Sequence, residues 1–229
     1  MFVRIAAPAG KPGTLMQKPV PIIHIVDDDE SFRVSISRLL RAAGYDVRSY
    51  CDVANFLPGR FDEAPGCILL DVRMPGFNGF DLQEALAMQT DTLPIIFLSG
   101  YGDVSSTVRA MKAGAVDFLT KPVQLETLLN AIENALVHDA KKRASREQLR
   151  HWHTYYSTLT SPELEVFNGV IAGKMNKEIA GELNAAERTV KAHWAQVMKK
   201  MHASTLAELV HIADQLDAAR SSPRLGAKD

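Results

Sequence analysis

Cysteine is almost missing from this sequence: Cys51 and Cys67 are the only two in 229 residues. Two thiols make no disulfide framework, so a small extracellular scaffold is excluded and the reducing cytoplasm is the expected location. No apolar run approaches the roughly 18 residues that cross a bilayer, so no membrane partner is expected. Glycine (14) and proline (11) are too few for a collagenous or low-complexity chain. With 46% hydrophobic and 23% charged residues, wholesale disorder and a coiled-coil rod are excluded as well. The first 20 residues have one early Arg and a short apolar stretch broken by Pro and Gly. A disordered leader is expected there rather than a secretory signal, with Met16 an alternative start.

What is present is unevenly spread. Residues 21–138 hold 16 acidic and 9 basic side chains, whereas residues 139–229 hold 11 acidic and 14 basic. The overall charge of −1 therefore conceals an acidic front and a mildly basic rear, which suggests two domains with different partners.

The front alternates. Strand-like runs at 22–26, 46–50, 67–70, 95–98 and 116–119 are separated by stretches of helical spacing at 31–43, 52–57, 79–88, 104–113 and 124–137. IIHIV and PIIFL are nearly all apolar, as suits strands buried on both faces of a parallel sheet. Gly44 and Gly114 stand where helices stop. Five strands alternating with five helices predict a doubly wound α/β domain over 21–138. The helical pattern then continues through a charged stretch without Gly or Pro, so 139–158 reads as a helical linker or as a solvated tail. From Leu159 the pattern is all helical. Ser161 reads as an N-cap before Pro162, and helices are expected to about 173, over 177–183, 187–201 and 206–216. Residues 218–229 read as a disordered tail.

Polar residues fall at the ends of the strands. Asp27, Asp28 and Asp29 follow the first, Asp71 the third, Ser99 the fourth and Lys121 the fifth. Open α/β sheets build their sites beyond these carboxyl ends, and a strand order of 2-1-3-4-5 puts the first acids and Asp71 in one crevice. Crowded carboxylates repel, and a hard divalent cation resolves the repulsion. A carboxylate beside such a cation is a nucleophile towards phosphorus, and Lys121 and Ser99 are suited to the phosphoryl oxygens. Asp29 reads instead as a helix cap, Phe118 as partly core, and Cys51 and Cys67 as packing residues.

In the rear, a short helix, a tight Asn184-Ala185-Ala186 connection and a longer helix with Arg188, Lys191, Lys199 and Lys200 suggest a helix-turn-helix. Val190, Val197 and Met201 suit its inner face. Arg188, Thr189, Lys191, His193 and Lys200 are the candidate DNA contacts. His151 and His153 point in different directions on a helix and make no chelate. The segment from His151 to Tyr156 reads as a packing patch between the domains. Trp194 is left open between a contact with the front domain, a partner or none.

VDDD, LLDVRMPG, FLSGYGD and FLTKP, in this order, resemble the receiver domain of two-component response regulators. LTSPELEVFNGVIAGKMNKEIAGEL and ERTVKAHWAQVMKKMHASTLAELV resemble the LuxR-type helix-turn-helix of the NarL/FixJ subfamily, and the receiver most resembles the FixJ branch. The resemblance implies a receiver followed by a four-helix domain. Asp71 is then the phosphoacceptor. Asp27, Asp28, Asp71 and the Arg73 backbone carbonyl hold Mg²⁺, with Asp28 the more direct ligand. Ser99 and Phe118 occupy switch positions, Lys121 grips the phosphoryl group, and the Lys121–Pro122 bond is cis. The implied partners are a histidine kinase, promoter DNA, a second copy on phosphorylation, and RNA polymerase. The final helix contributes to dimerisation on DNA. The chain departs from the family at Asn184-Ala185-Ala186, where Gly-Ile-Ser is usual. Asn can supply the left-handed conformation, but Ala186 has no capping oxygen. A phosphate-independent receiver, an aspartyl-phosphate phosphatase and an RNA-binding rear domain are rival readings. The complete pocket, Arg73 two residues after Asp71, and the lack of aromatic platforms argue against them in turn.

Overall fold

Strand runs with apolar residues at every position need cover on both faces, and this chain supplies it with helices. In the computed structural model, which describes residues 19–56, 64–88, 92–100 and 104–221, the chain divides into two units, Met1–Ala140 and Lys141–Asp229. The first contains β1 (Ile22–Val26), α1 (Glu30–Ala42), β2 (Asp46–Tyr50), α2 (Val53–Phe56) and β3 (Gly66–Asp71). It continues with β4 (Arg73–Met74), β5 (Phe77–Asn78), α3 (Gly79–Ala87), β6 (Ile95–Ser99), α4 (Val104–Lys112) and β7 (Asp117–Thr120). The main sheet is parallel with order β2-β1-β3-β6-β7, matching the expected order once the β4–β5 hairpin is set aside. Sequence reading misses that hairpin, because two-residue strands leave no periodicity to detect.

Alternation along each strand sorts the core into two layers. Val26, Ile68, Leu70 and Phe97 pack with Phe56, Leu82, Leu86 and Ala110 from α2, α3 and α4. Ile25, Leu69, Ile96 and Leu98 pack with Ile36 and Leu40 of α1 and with Leu128 and Ile132 of the next helix. Cys67 belongs to the second layer, where burial pushes its thiol pKa up. Cys51 does not pack as expected: it is exposed, its thiol near the Asp52 carboxylate. Asp29 caps α1 as the sequence suggests, accepting the Phe32 N–H at 3.1 Å. The expected end of the second helix, Leu57, and residues 1–18 of the expected leader lie outside the described residues.

The helix that follows, α5 (Leu125–Ser157), is continuous for 33 residues. It buries Leu128, Ala131, Ile132 and Ala135 and then Asp139, which is fully buried and accepts the Gly66 N–H at 3.1 Å. No described helix is long and apolar enough to cross a membrane.

The second unit adds α6 (Ser161–Ile171), α7 (Asn176–Glu182), α8 (Glu187–Lys200) and α9 (Leu206–Ser221). Phe167, Val197, Met201, Leu209, Ile212 and Leu216 form one core cluster, and Val166, Ile179, Ala180 and Val190 a smaller one. Trp194, half-buried, packs against both clusters. Trp152, Tyr155 and Tyr156, each half-buried, pack on the first cluster within this unit. The residue before Ser161 is the N-cap of α6: Thr160 takes that place and Glu163 accepts its N–H at 2.8 Å in a capping box. Asn184 adopts φ +49°, the left-handed conformation expected of it, and Ala186 caps α8 without a side-chain bond. The helix α9 runs past Leu216 to Ser221, so residues 218–221 are helical where a disordered tail was expected.

Lys200 ends α8 with its ammonium 2.6 Å from Glu163 Oε2 and 3.1 Å from the Thr158 carbonyl oxygen. The Lys200 hydrogen bond and the Thr160 N–H outweigh burial and hold the Glu163 carboxyl down at about 2.

Two predictions follow from these contacts. A Cβ at Gly79 meets the Asp71 carbonyl oxygen and lies 3.1 Å from the Phe97 ring. Gly79→Ala is therefore expected to cost about 1–3 kcal/mol of the first unit's stability, seen as faster amide hydrogen exchange along β3 and β6. Glu163 has a folded-state pKa below the ordinary 4.5, so its contribution to stability is present above that pH and is lost as pH falls towards about 2. Both tryptophans lie in the second unit. Their fluorescence should report acid unfolding of that unit, and Lys200→Gln should move the transition to higher pH. An unmoved transition would contradict the assignment.

Candidate functional site

The candidate pocket forms where β1 and β3 lie side by side and the chain leaves them towards opposite faces of the sheet. Asp71 is the last residue of β3, Asp27 and Asp28 follow β1, Ser99 ends β6, and Lys121 follows β7. The structure brings the three carboxylates together: Asp27, Asp28 and Asp71 each offer an oxygen within 4.8 Å of the others. Asp27 is fully buried, Asp71 nearly so, and Asp28 exposed.

Lys121 reaches across this cluster. Its Nζ lies 2.6 Å from Asp27 Oδ2 and 2.9 Å from Asp71 Oδ1. The Lys121 N–H donates to the Ser99 carbonyl oxygen at 2.7 Å, and the Lys121–Pro122 peptide is cis. The Arg73 N–H donates to Asp71 Oδ2 at 3.1 Å, and the Asp29 N–H to Asp27 Oδ1 at 3.0 Å. Burial pushes the Asp27 carboxyl pKa up against the pull of the Lys121 hydrogen bond and charge. Burial pulls the Lys121 ammonium down, but its hydrogen bonds to Asp27 and Asp71 and their charges together outweigh this and leave it raised.

Three carboxylates facing one ammonium leave two negative charges concentrated on hard oxygen donors. That donor set fits a divalent cation such as Mg²⁺, which prefers carboxylate, carbonyl and water oxygens. Ser99 is buried at the rim, and the half-buried Phe118 ring sits 6.2 Å from that of Phe97.

Two contributors escape sequence reading. The Phe32 ring lies under the Lys121 ammonium, 4.2 Å from centroid to Nζ, and Arg33 Nη1 donates to the Asp27 carbonyl oxygen at 2.7 Å. Both lie on α1, where Phe32 reads only as a helix-face apolar residue and no local signal marks either.

In the second unit, the inward face of α8 is set by Val190 and Val197, both fully buried. Arg188, Thr189 and Lys191 are exposed and His193 is half-buried. Lys200 departs from the expectation of a DNA contact. Its ammonium is held by Glu163 and by the Thr158 carbonyl, so it faces the domain's own structure.

Residues 23–133 match the response regulator receiver domain, and residues 157–213 match the LuxR family of bacterial regulatory proteins. The chain is 40% identical to nodulation protein W of Bradyrhizobium diazoefficiens, over 85% of this chain and 86% of that protein. It is 43% identical to the tetrathionate response regulatory protein TtrR of Salmonella typhimurium, over 82% and 89% of the two chains. Among solved structures it is similar to the response regulator StyR, with a TM-score of 0.72 and 44% identity over 86% of this chain and 99% of that one. Full-length FixJ from B. japonicum gives a TM-score of 0.52 and 37% identity over 86% and 97%. With a carboxylate pocket at the carboxyl edge of one domain and a helix-turn-helix in the other, the chain belongs to the NarL/FixJ response regulators, DNA-binding transcription regulators activated by phosphorylation.

Proposed function

We propose that Asp71 is the residue phosphorylated. The observation that carries this reading is the Lys121 ammonium lying between Asp27 and Asp71 beside a third carboxylate. An Asp71 oxygen attacks the phosphorus of a phosphohistidine on the kinase, the N–P bond breaks, and the imidazole leaves with the bonding pair. Lys121 then turns from the Asp71 carboxylate to a phosphoryl oxygen, and the Ser99 hydroxyl supplies a further donor. Asp27, Asp28, Asp71 and the Arg73 carbonyl would hold Mg²⁺. Asp28 is the more direct ligand, because Asp27 is engaged by Lys121 and the Asp29 N–H. When bound, the cation neutralises charge that builds on the phosphoryl oxygens.

The phosphorylated receiver dimerises through α4, β7 and the start of α5. Support comes from Val104, Val108, Met111 and Leu125, all large apolar side chains left exposed on α4 and α5. Two copies then present two α8 helices to half-sites of a cytoplasmic promoter, where linkage multiplies a weak single-site affinity. Arg188, Thr189, Lys191 and His193 on α8 make the DNA contacts, and RNA polymerase is the onward partner.

Intact mass and sedimentation velocity, with and without a small-molecule phosphodonor and Mg²⁺, test this reading. The wild type should gain one phosphoryl adduct and shift from monomer to dimer, both dependent on Mg²⁺. Asp71→Asn should do neither. A dimer that formed in Asp71→Asn on adding phosphodonor would refute the assignment.

A further inference from the structure

Lys200 joins three elements. It stands at the last position of α8, Glu163 in the first turn of α6, and Thr158 in the turn that leaves α5. Glu163 Oε2 accepts from both the Lys200 ammonium, at 2.6 Å, and the Thr160 N–H, at 2.8 Å. The Glu163 side chain is 7% exposed and that of Lys200 30%. A charge-assisted bond to a carboxylate so shielded is strong, and it fixes geometry as well as energy. A second contact reinforces it. His202, in the left-handed conformation at φ +53°, brings its ring 4.5 Å from that of Tyr155 in the last turns of α5.

The carboxyl end of α8 is thus tied twice to the end of α5 and once to α6. Its amino end carries the exposed Arg188, Thr189 and Lys191 and has no side-chain cap. Helical rotation places Lys199 opposite the buried Val190 and Val197, whereas Lys200 is turned a further 100° or so, towards α6.

We infer that Lys200 is a positioning residue for DNA recognition: by binding Glu163 and the Thr158 carbonyl it sets the angle at which α8 presents its amino-terminal side chains. It does not itself touch the phosphate backbone. The inference rests on the reading of α8 as the DNA-contacting helix.

The test uses the full-length chain, treated with phosphodonor and Mg²⁺. The probes are a duplex selected by the wild type from a random pool and a scrambled duplex of the same length. Affinity is measured across a salt series for wild type, Lys200→Gln, Lys200→Arg, Glu163→Gln and Arg188→Ala, with Trp152 and Trp194 fluorescence confirming the fold. Lys200→Gln and Glu163→Gln should each weaken selected-duplex binding about tenfold. Both should leave scrambled-duplex binding and the slope of log affinity against log salt unchanged. Lys200→Arg should restore most of the loss.

Glu163→Gln is the decisive variant. Gln can still accept the Thr160 N–H but removes the negative charge that holds the lysine. If Lys200 is a phosphate contact, its replacement by Gln lowers the salt slope by about 0.9, and Glu163→Gln binds as well as wild type or better; that result overturns the inference. Unchanged affinity in both variants also overturns it. Failure of the underlying reading looks different: Arg188→Ala would then bind both duplexes like wild type.

Discussion

The receiver depends on a balance of charge at the edge of its sheet. Carboxylates with oxygens within 4.8 Å of one another repel strongly, and one of them, Asp27, is fully buried. Lys121 offsets part of that repulsion by bonding to Asp27 and Asp71 together. The sheet supplies the fixed framework: β1 and β3 are adjacent, and β7 delivers Lys121 from the far edge. Phe32 confines the ammonium from below. Adding or removing charge here therefore has somewhere to register, because Lys121 cannot serve Asp27, Asp71 and a phosphoryl group equally.

Much of this was legible in the sequence, and the reasons are physical. β1, β3 and β6 are fully buried and mostly apolar runs, β2 and β7 stand out as short strand-like runs between helical stretches, and polar residues at or just past the ends of β1, β3, β6 and β7 mark the crevice. The strand limits shifted by a residue where Gly66 and Ser99 join the ladders. The β4–β5 hairpin stayed hidden, although it shapes the chain directly after Asp71. Phe32 and Arg33 stayed hidden too, because their roles arise from α1 lying across the pocket rather than from any spacing.

The second unit shows the limit differently. Val190, Val197 and Met201 are buried as helical periodicity requires. Charge alone, however, does not tell a lysine that stays exposed from one bound by its own domain. Lys200 and Lys191 look alike in sequence, and only the capping box of α6 separates them, by leaving a carboxylate oxygen beside the end of α8. The same applies to the aromatic segment from His151 to Tyr156, which reads as an interface by composition and half-buries Trp152, Tyr155 and Tyr156 against its own unit's core. Asn184 was legible because a left-handed turn residue has few alternatives to Gly.

Strand β3 connects two parts of the molecule. Its carboxyl end is Asp71, and its amino end is Gly66, whose N–H is held by the buried carboxylate of Asp139 on α5. A six-residue strand spans only about 20 Å, and this one is laddered to β1 on one side and β6 on the other. Asp71 and the Gly66–Asp139 contact midway along α5 are therefore at opposite ends of one stiff strand. A substitution at either end is transmitted to a segment clamped on both flanks, so the strand is a poor place for neutral drift even at positions that touch no ligand.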